Sequence, residues 1–262
     1  MSVRAISRAI AVLSAVNRDG PITMMGISRA AAIPYPTASR IVHTLLDEGL
    51  IEREPARKRY RVTSLVQTLS TGFQQEDALV SVARPHIEEL CRQIGWPVAL
   101  ATRVGPRMML RDSTHNMTSL TFSNYYPGFT LPIAECATGK VFLAFCEPEE
   151  LEMIIDGWTT IDNDTSRSGL VMVGDDFMLS KIRQDGYAIQ ARNTFNAEPG
   201  KTSSVAVPIL ARDGTLLASL GMVYFASAMS IDDAVAEFVE PLRANAAAIA
   251  GAMAAADSQQ AA

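Results

Sequence analysis

Between Pro36 and Gly49 the side chains suited to recognition chemistry gather on one side of a helical repeat: Thr37, Ser39, Arg40, His43 and Thr44. The other side is Ala38, Ile41, Val42 and Leu45, the i, i+3, i+4, i+7 spacing of a buried helix face. Such a helix is small and hydroxyl-bearing in its first turn, with a guanidinium and an imidazole further on. It enters the DNA major groove without bulk and offers donors to base edges and phosphates. Arg57, Lys58 and Arg59 follow as consecutive cations in a polar turn, a composition suited to phosphate contact, where charge supplies affinity and little sequence information. Arg8 and Tyr35 complete the set of DNA-contacting candidates.

Catalytic chemistry finds no comparable constellation. There is no G-x-S-x-G, H-E-x-x-H, P-loop or G-x-G-x-x-G motif. His43, His86 and His115 form no i, i+4 pair for a metal, and Cys91, Cys136 and Cys146 are odd in number without C-x-x-C spacing. The expectation is a protein that is not an enzyme, with no catalytic residue, metal or cofactor, in a reducing cytoplasm. The competing reading is a ligand-binding or hydrolytic enzyme acting on a small aromatic acid. It requires folding to bring a base to Cys136 or to Ser203-Ser204.

The elements that must position these residues divide the chain in two. Its 262 residues are 48% hydrophobic and 19% charged, enough apolar surface for one large or two modest domains and too little charge for disorder. The net charge of −5 argues against nucleic acid only as an average. Residues 1–63 hold ten basic groups against five acidic ones, and the remainder holds 13 against 23, so a +5 module is joined to a −10 one. Arg4 and Arg8 interrupt the N-terminus before any apolar run builds, and the longest stretch without a charged residue, 113–134, is too polar to span a bilayer. Neither a signal peptide nor a membrane segment is expected.

In the basic module, Ile6, Ala9, Ile10, Leu13 and Val16 predict a first helix ended by Asp19-Gly20-Pro21. Thr23 caps a short second helix over 24–32, Pro36 opens the third at its first position, and Gly49 closes it. Leu50–Arg53 and Tyr60–Val62 read as strands of a basic-tipped hairpin, a wing. A linker helix follows over 64–77, carrying Leu65, Leu69, Phe73 and Glu76 on one face. The third segment, 78–262, opens with a helix over 78–94. Its strands are expected at 98–104, 108–111, 187–192, 204–210 and 216–225, and its helices at 137–145, 148–156, 175–185 and 232–256. Hairpins mixed with helices indicate an α+β domain on a largely antiparallel sheet.

Ser7 to Leu13, Thr37 to Leu45, Gly49 to Arg53 and Tyr60-Arg61-Val62 resemble the winged helix-turn-helix of IclR-type transcriptional regulators. Leu131-Pro132-Ile133, Ala137 to Ala144, Ile182 to Tyr187 and Ser204 to Pro208 resemble that family's GAF-like effector-binding domain. Stretches including Leu65 to Glu76, Trp96-Pro97, Arg111 with Thr114-His115, Leu143 to Cys146 and Val223 to Met229 are similar to the subgroup that activates hydroxyphenylpropionate catabolism.

The resemblance implies a regulator that binds double-stranded operator DNA as a homodimer or homotetramer, responds to a small carboxylic acid and works with RNA polymerase. It nominates Leu131, Cys136, Ala137, Thr138, Gln190, Ser204, Gly221 and Val223 around the effector. The amides of Ala137 and Thr138 open a helix and suit a carboxylate, with Arg111 and Arg192 as countercharges. The family's acidic run after Gly-Tyr is here replaced by Gln190 to Phe195, an exchange that favours an anionic ligand.

Overall fold

The computed structural model describes residues 3–55, 57–70, 77–120, 125–161, 163–195 and 199–260, and the chain forms two units, Met1–Gln74 and Gln75–Ala262. In the first, α1 (Arg4–Asp19) is followed by β1 (Ile22–Thr23), α2 (Met24–Ala30), α3 (Tyr35–Asp47), β2 (Ile51–Arg53) and β3 (Arg59–Val62). Thr23 does cap α2, its Oγ1 accepting the Gly26 N–H at 3.1 Å. That helix ends two residues earlier than expected, because Ala32 turns into the left-handed region at φ 51°. Pro36 occupies the second position of α3 rather than the first, where its missing N–H is equally harmless.

Val12, Val16, Ile27, Ala38, Val42, Leu45, Ile51 and Tyr60 make this unit's core. The buried face of α1 is therefore rotated from the expected one. Val12, Ala15 and Val16 are buried, whereas Ile6 and Ile10 are 58% and 60% exposed. Only the C-terminal half of α1 lies over the core. Two-residue β1 pairs with β3 through Ile22↔Tyr60 and Thr23↔Arg59, giving a sheet ordered β1-β3-β2. It is too short to show the alternation by which strands are read. The expected linker begins as a 3-10 helix, Ser64–Ser70; Phe73 and Glu76 lie outside the described residues.

The second unit opens with α4 (Asp77–Ile94), followed by β4 (Val98–Val104), β5 (Arg107–Ser113) and β6 (Thr130–Pro132). Four helices come next, α5 (Ala137–Phe145), α6 (Pro148–Thr160), α7 (Asp164–Gly174) and α8 (Asp176–Asp185). The unit ends with β7 (Ala188–Asn193), β8 (Thr202–Leu210), β9 (Leu216–Phe225) and α9 (Ile231–Gln260). The six strands form one antiparallel sheet, β6-β5-β4-β9-β8-β7, as the α+β reading requires.

Alternation along the central strands assigns its two faces. Leu100, Val205, Val207, Leu220 and Met222 pack with Phe238 and Leu242 of α9 and with α4, whereas Ala99, Ala101, Leu110 and Val223 belong to a second core with Ile133, Leu143 and Trp158.

Two glycines make the second core possible. A Cβ on Gly139 would stand 1.8 Å from the Ile133 carbonyl oxygen, so only glycine lets the first turn of α5 rest on the preceding 3-10 turn, Ile133–Glu135. A Cβ on Gly169 would stand 2.8 Å from the Trp158 ring. Its helix, α7, was not expected. Its polar sequence carries little periodicity, and its start is fixed locally by Asn163, whose Oδ1 accepts the Ser166 N–H at 2.8 Å.

Candidate nucleic-acid interface and ligand cavity

In α3, burying Ala38, Val42 and Leu45 turns Arg40, His43 and Thr44 to the exposed side, with Thr37 and Ser39 half-buried at its edge. Arg8 of α1 faces them. Arg8, Thr37, Arg40 and His43 line one open groove of about 460 Å3 with Ala5, Ile41 and Thr44. Tyr35, at the N-terminal end of α3, is 47% exposed. The described cations of the wing, Arg57, Lys58 and Arg59, are all exposed, and Lys58 holds φ 48° in the turn that reverses the hairpin. The hairpin is closed by the Glu54 N–H bonding the Arg59 carbonyl at 2.8 Å and by Arg61 pairing with Glu52 at 2.6 Å. Arg61 is thus occupied within the sheet, while the three tip cations project where a phosphate backbone can meet them.

In the second unit, a cavity lies where the first turn of α5 rests on the sheet. Leu131, Cys136, Ala137, Thr138, Ser204, Gly221 and Val223 all line it. The sheet register explains the convergence, because Ser204 pairs with Val223 and Ala99 with Gly221, while the Ser219 hydroxyl donates to the Thr138 carbonyl at 2.9 Å. Gly221 is required for this approach, since a Cβ there would stand 2.8 Å from Thr138 Cγ2. Residues that the sequence reading did not find also contribute, including Ser113 and the buried Tyr125, whose ring lies 5.5 Å from that of Phe129. Tyr125 follows a polar stretch that carries no periodicity to announce it.

The cavity measures about 30 Å3, far below the roughly 300–1,000 Å3 of small-ligand sites. Among the described residues, none lining it carries a formal charge. The first-turn amides of α5 have no acceptor within their helix, and the lining residues add the hydroxyls of Ser113, Tyr125, Thr138 and Ser204 and the Cys136 thiol. Burial pushes the Cys136 thiol up, more than its bonds to Thr138 and Gly139 lower it, so the sulfur stays protonated and a poor nucleophile.

Three nominated residues do not reach the cavity wall. Arg192 sits at a bulge between Gln190 and Asn193 with φ 42°, exposed, its backbone N–H on Ser203 Oγ at 3.1 Å and its guanidinium 3.4 Å from the Gly200 carbonyl. Gln190 turns along its own strand to the Ala191 carbonyl at 3.1 Å. Arg111 is the extra residue of a bulge opposite Leu100 and Ala101 and is half-buried. All three lie at or beside bulges, which redirect side chains relative to the regular strand on either side.

Asp112, beside Arg111, is instead paired with Arg84 at 2.7 Å and accepts the Ser113 N–H at 2.8 Å. Its Oδ2 has no partner among the described residues, and burial, outweighing the Ser113 bond and the Arg84 charge, raises its pKa above the usual 3.8.

Comparison with known proteins accounts for both units. The family described as bacterial transcriptional regulator IclR C-terminal matches residues 73–251, and the MarR family matches residues 6–69. The HTH-type transcriptional regulator XynR of Escherichia coli K12 is 24% identical over 248 residues, covering 92% of this chain and 93% of its own. TsaQ1/TsaQ2 of Comamonas testosteroni, another HTH-type transcriptional regulator, is 23% identical over 59% of this chain, a match that spans 56% of its own length.

Among solved structures, an IclR homologue from Microbacterium hydrocarbonoxydans, crystallised with 4-hydroxybenzoate, superposes with a TM-score of 0.64 at 21% identity, covering 96% of this chain and 99% of that one. A helix-turn-helix unit with a basic wing, joined to a second unit whose family match covers most of the remaining residues, leads to one assignment: the chain belongs to the IclR family of bacterial transcriptional regulators.

Proposed function

We propose that the chain is a cytoplasmic one-component regulator that binds double-stranded operator DNA as a homodimer or homotetramer. Its effector is a small aromatic or hydroxylated carboxylic acid, and it activates genes of aromatic or organic acid catabolism together with RNA polymerase, in the manner of the hydroxyphenylpropionate subgroup. The observation that carries the reading is the groove shared by Arg8, Thr37, Arg40 and His43. Donors from two helices converge there beside an exposed basic hairpin. The effector reading is supported by the cavity at the start of α5, where helix amides and hydroxyls suit a carboxylate and Leu131, Tyr125 and Val223 suit an aromatic body.

A cavity of about 30 Å3 is too small for such an acid, which enters only if the walls separate. The acid therefore binds an expanded state in preference to the closed one, and that difference in affinity is the free energy available to alter DNA binding. Calorimetry of the full chain with 4-hydroxybenzoate and 3-(3-hydroxyphenyl)propionate tests the site. Ser204→Ala is expected to weaken binding by about ten- to a hundredfold, the value of one hydrogen bond to a charged group. Unchanged affinity in that variant rejects the cavity as the effector site.

A further inference from the structure

A second, roomier cavity of the second unit lies on the opposite side of the wall from the small one. The segment 131–136 is shared between them: Leu131 and Cys136 face the inner cavity, whereas Pro132, Ile133 and Ala134 line an outer groove of about 400 Å3. This volume falls within the roughly 300–1,000 Å3 range of small-ligand sites. Ile133, Ile154, Trp158 and Ile161 supply an apolar and aromatic body, and Arg103 and Arg107 supply cations from the β4–β5 hairpin.

The two arginines differ in what they have free. Arg103 is engaged by Glu150 at 2.7 Å, by the Gly105 carbonyl at 3.0 Å and by the Phe142 ring. Arg107 spends its Nε and one terminal nitrogen on Thr130, at 2.8 and 2.9 Å, and both bonds fix the plane of the guanidinium without neutralising it. Among the described residues no Asp or Glu lines the groove, and the carboxylate next to it, Glu150, is already paired. A positioned guanidinium with no acidic partner among the described residues, at the rim of an apolar, indole-walled groove, matches an aromatic ring bearing one carboxylate.

We propose that this groove is a second ligand site, separate from the inner cavity, taking a small aromatic carboxylate with its ring beside Trp158 and its carboxylate on Arg107. A ligand there bears on Ile133 and Ala134, and so on the wall that limits the inner cavity.

Trp158 provides the readout. The chain's other tryptophan, Trp96, packs in the opposite core, so an emission change on titrating the full chain with benzoate that responds to substitutions in the groove belongs to Trp158. Gly157→Leu is the blocking variant. A Cβ there meets nothing within 4 Å, and leucine favours the helix more than glycine does. Expected is a saturable change that Gly157→Leu abolishes, that Arg107→Gln weakens about tenfold or more, and that Ser204→Ala leaves intact. The uncharged isostere benzamide is expected to bind at least about tenfold more weakly than benzoate. A change that does not saturate, or that survives Gly157→Leu at the same affinity, overturns the proposal.

Discussion

Arg40 and Asp112 carry the two sharpest expectations at the scale of single residues. Arg40 is exposed on a helix whose packing residues lie elsewhere, so Arg40→Ala is expected to leave thermal stability within about 0.5 kcal/mol and to weaken specific DNA binding by about 1–3 kcal/mol. A gel-shift titration beside a melting curve reads both. Asp112 concerns stability alone. Its folded pKa lies above the unfolded value of 3.8, so the folded state holds the proton more tightly. Stability therefore rises as pH falls through the folded pKa toward 3.8 and declines as pH rises through that window. Asp112→Asn is expected to flatten this part of the pH–stability curve, as followed by urea unfolding; a curve of unchanged slope places the dependence on another group.

The sequence disclosed residues unevenly. Thr37, Arg40 and His43 were legible because helical periodicity fixes which side of α3 faces out. Arg111, Gln190 and Arg192 were nominated by resemblance and by charge, and the structure sets them off the inner cavity, at or beside bulges that depend on pairing with a neighbouring strand, which one strand's residues do not reveal.

At the scale of elements, the wing and the first turn of α5 each do one task. The wing's cations are exposed on a short hairpin and contribute by releasing counterions, which makes affinity depend on salt. An Arg57/Lys58/Arg59 triple alanine variant is expected to reduce the slope of log affinity against log salt by roughly 0.9 for each phosphate it no longer neutralises. An unaltered slope removes the wing from the interface.

The start of α5 depends on Gly139, where any side chain collides with the Ile133 carbonyl. Gly139→Ala is expected to destabilise the second unit by about 1–3 kcal/mol in urea unfolding, as overpacking does in a filled core. Strong periodicity or turn chemistry made α5 and β9 readable to the residue. Helix α7 and strands β1 and β6 escaped, since their ends are set by Asn163 and by partner strands rather than by a pattern of their own.

For the whole molecule, the division of charge is also a division of labour. The +5 segment contains the helix-turn-helix and wing, and the −10 segment contains the six-stranded sheet, a small inner cavity and a ligand-sized outer groove. Among the described residues no helix is long and apolar enough to cross a membrane. The charge division marked where one unit ends, and fold class was legible from the helical and strand periodicities and the turns between them. The cavity's closed state was not, because its volume depends on how α5, the sheet and Tyr125 meet in three dimensions.

The central claim is that one chain reads DNA through α3 and the wing under the control of an acid bound by its second unit. Footprinting of the full chain on the DNA upstream of its own gene, with and without saturating 4-hydroxybenzoate or 3-(3-hydroxyphenyl)propionate, tests this directly. Expected is protection of a two-fold symmetric site, lost in Arg40→Ala and altered in extent or affinity by an acid. Absence of any protected site, or protection that neither Arg40→Ala nor the acids change, contradicts it.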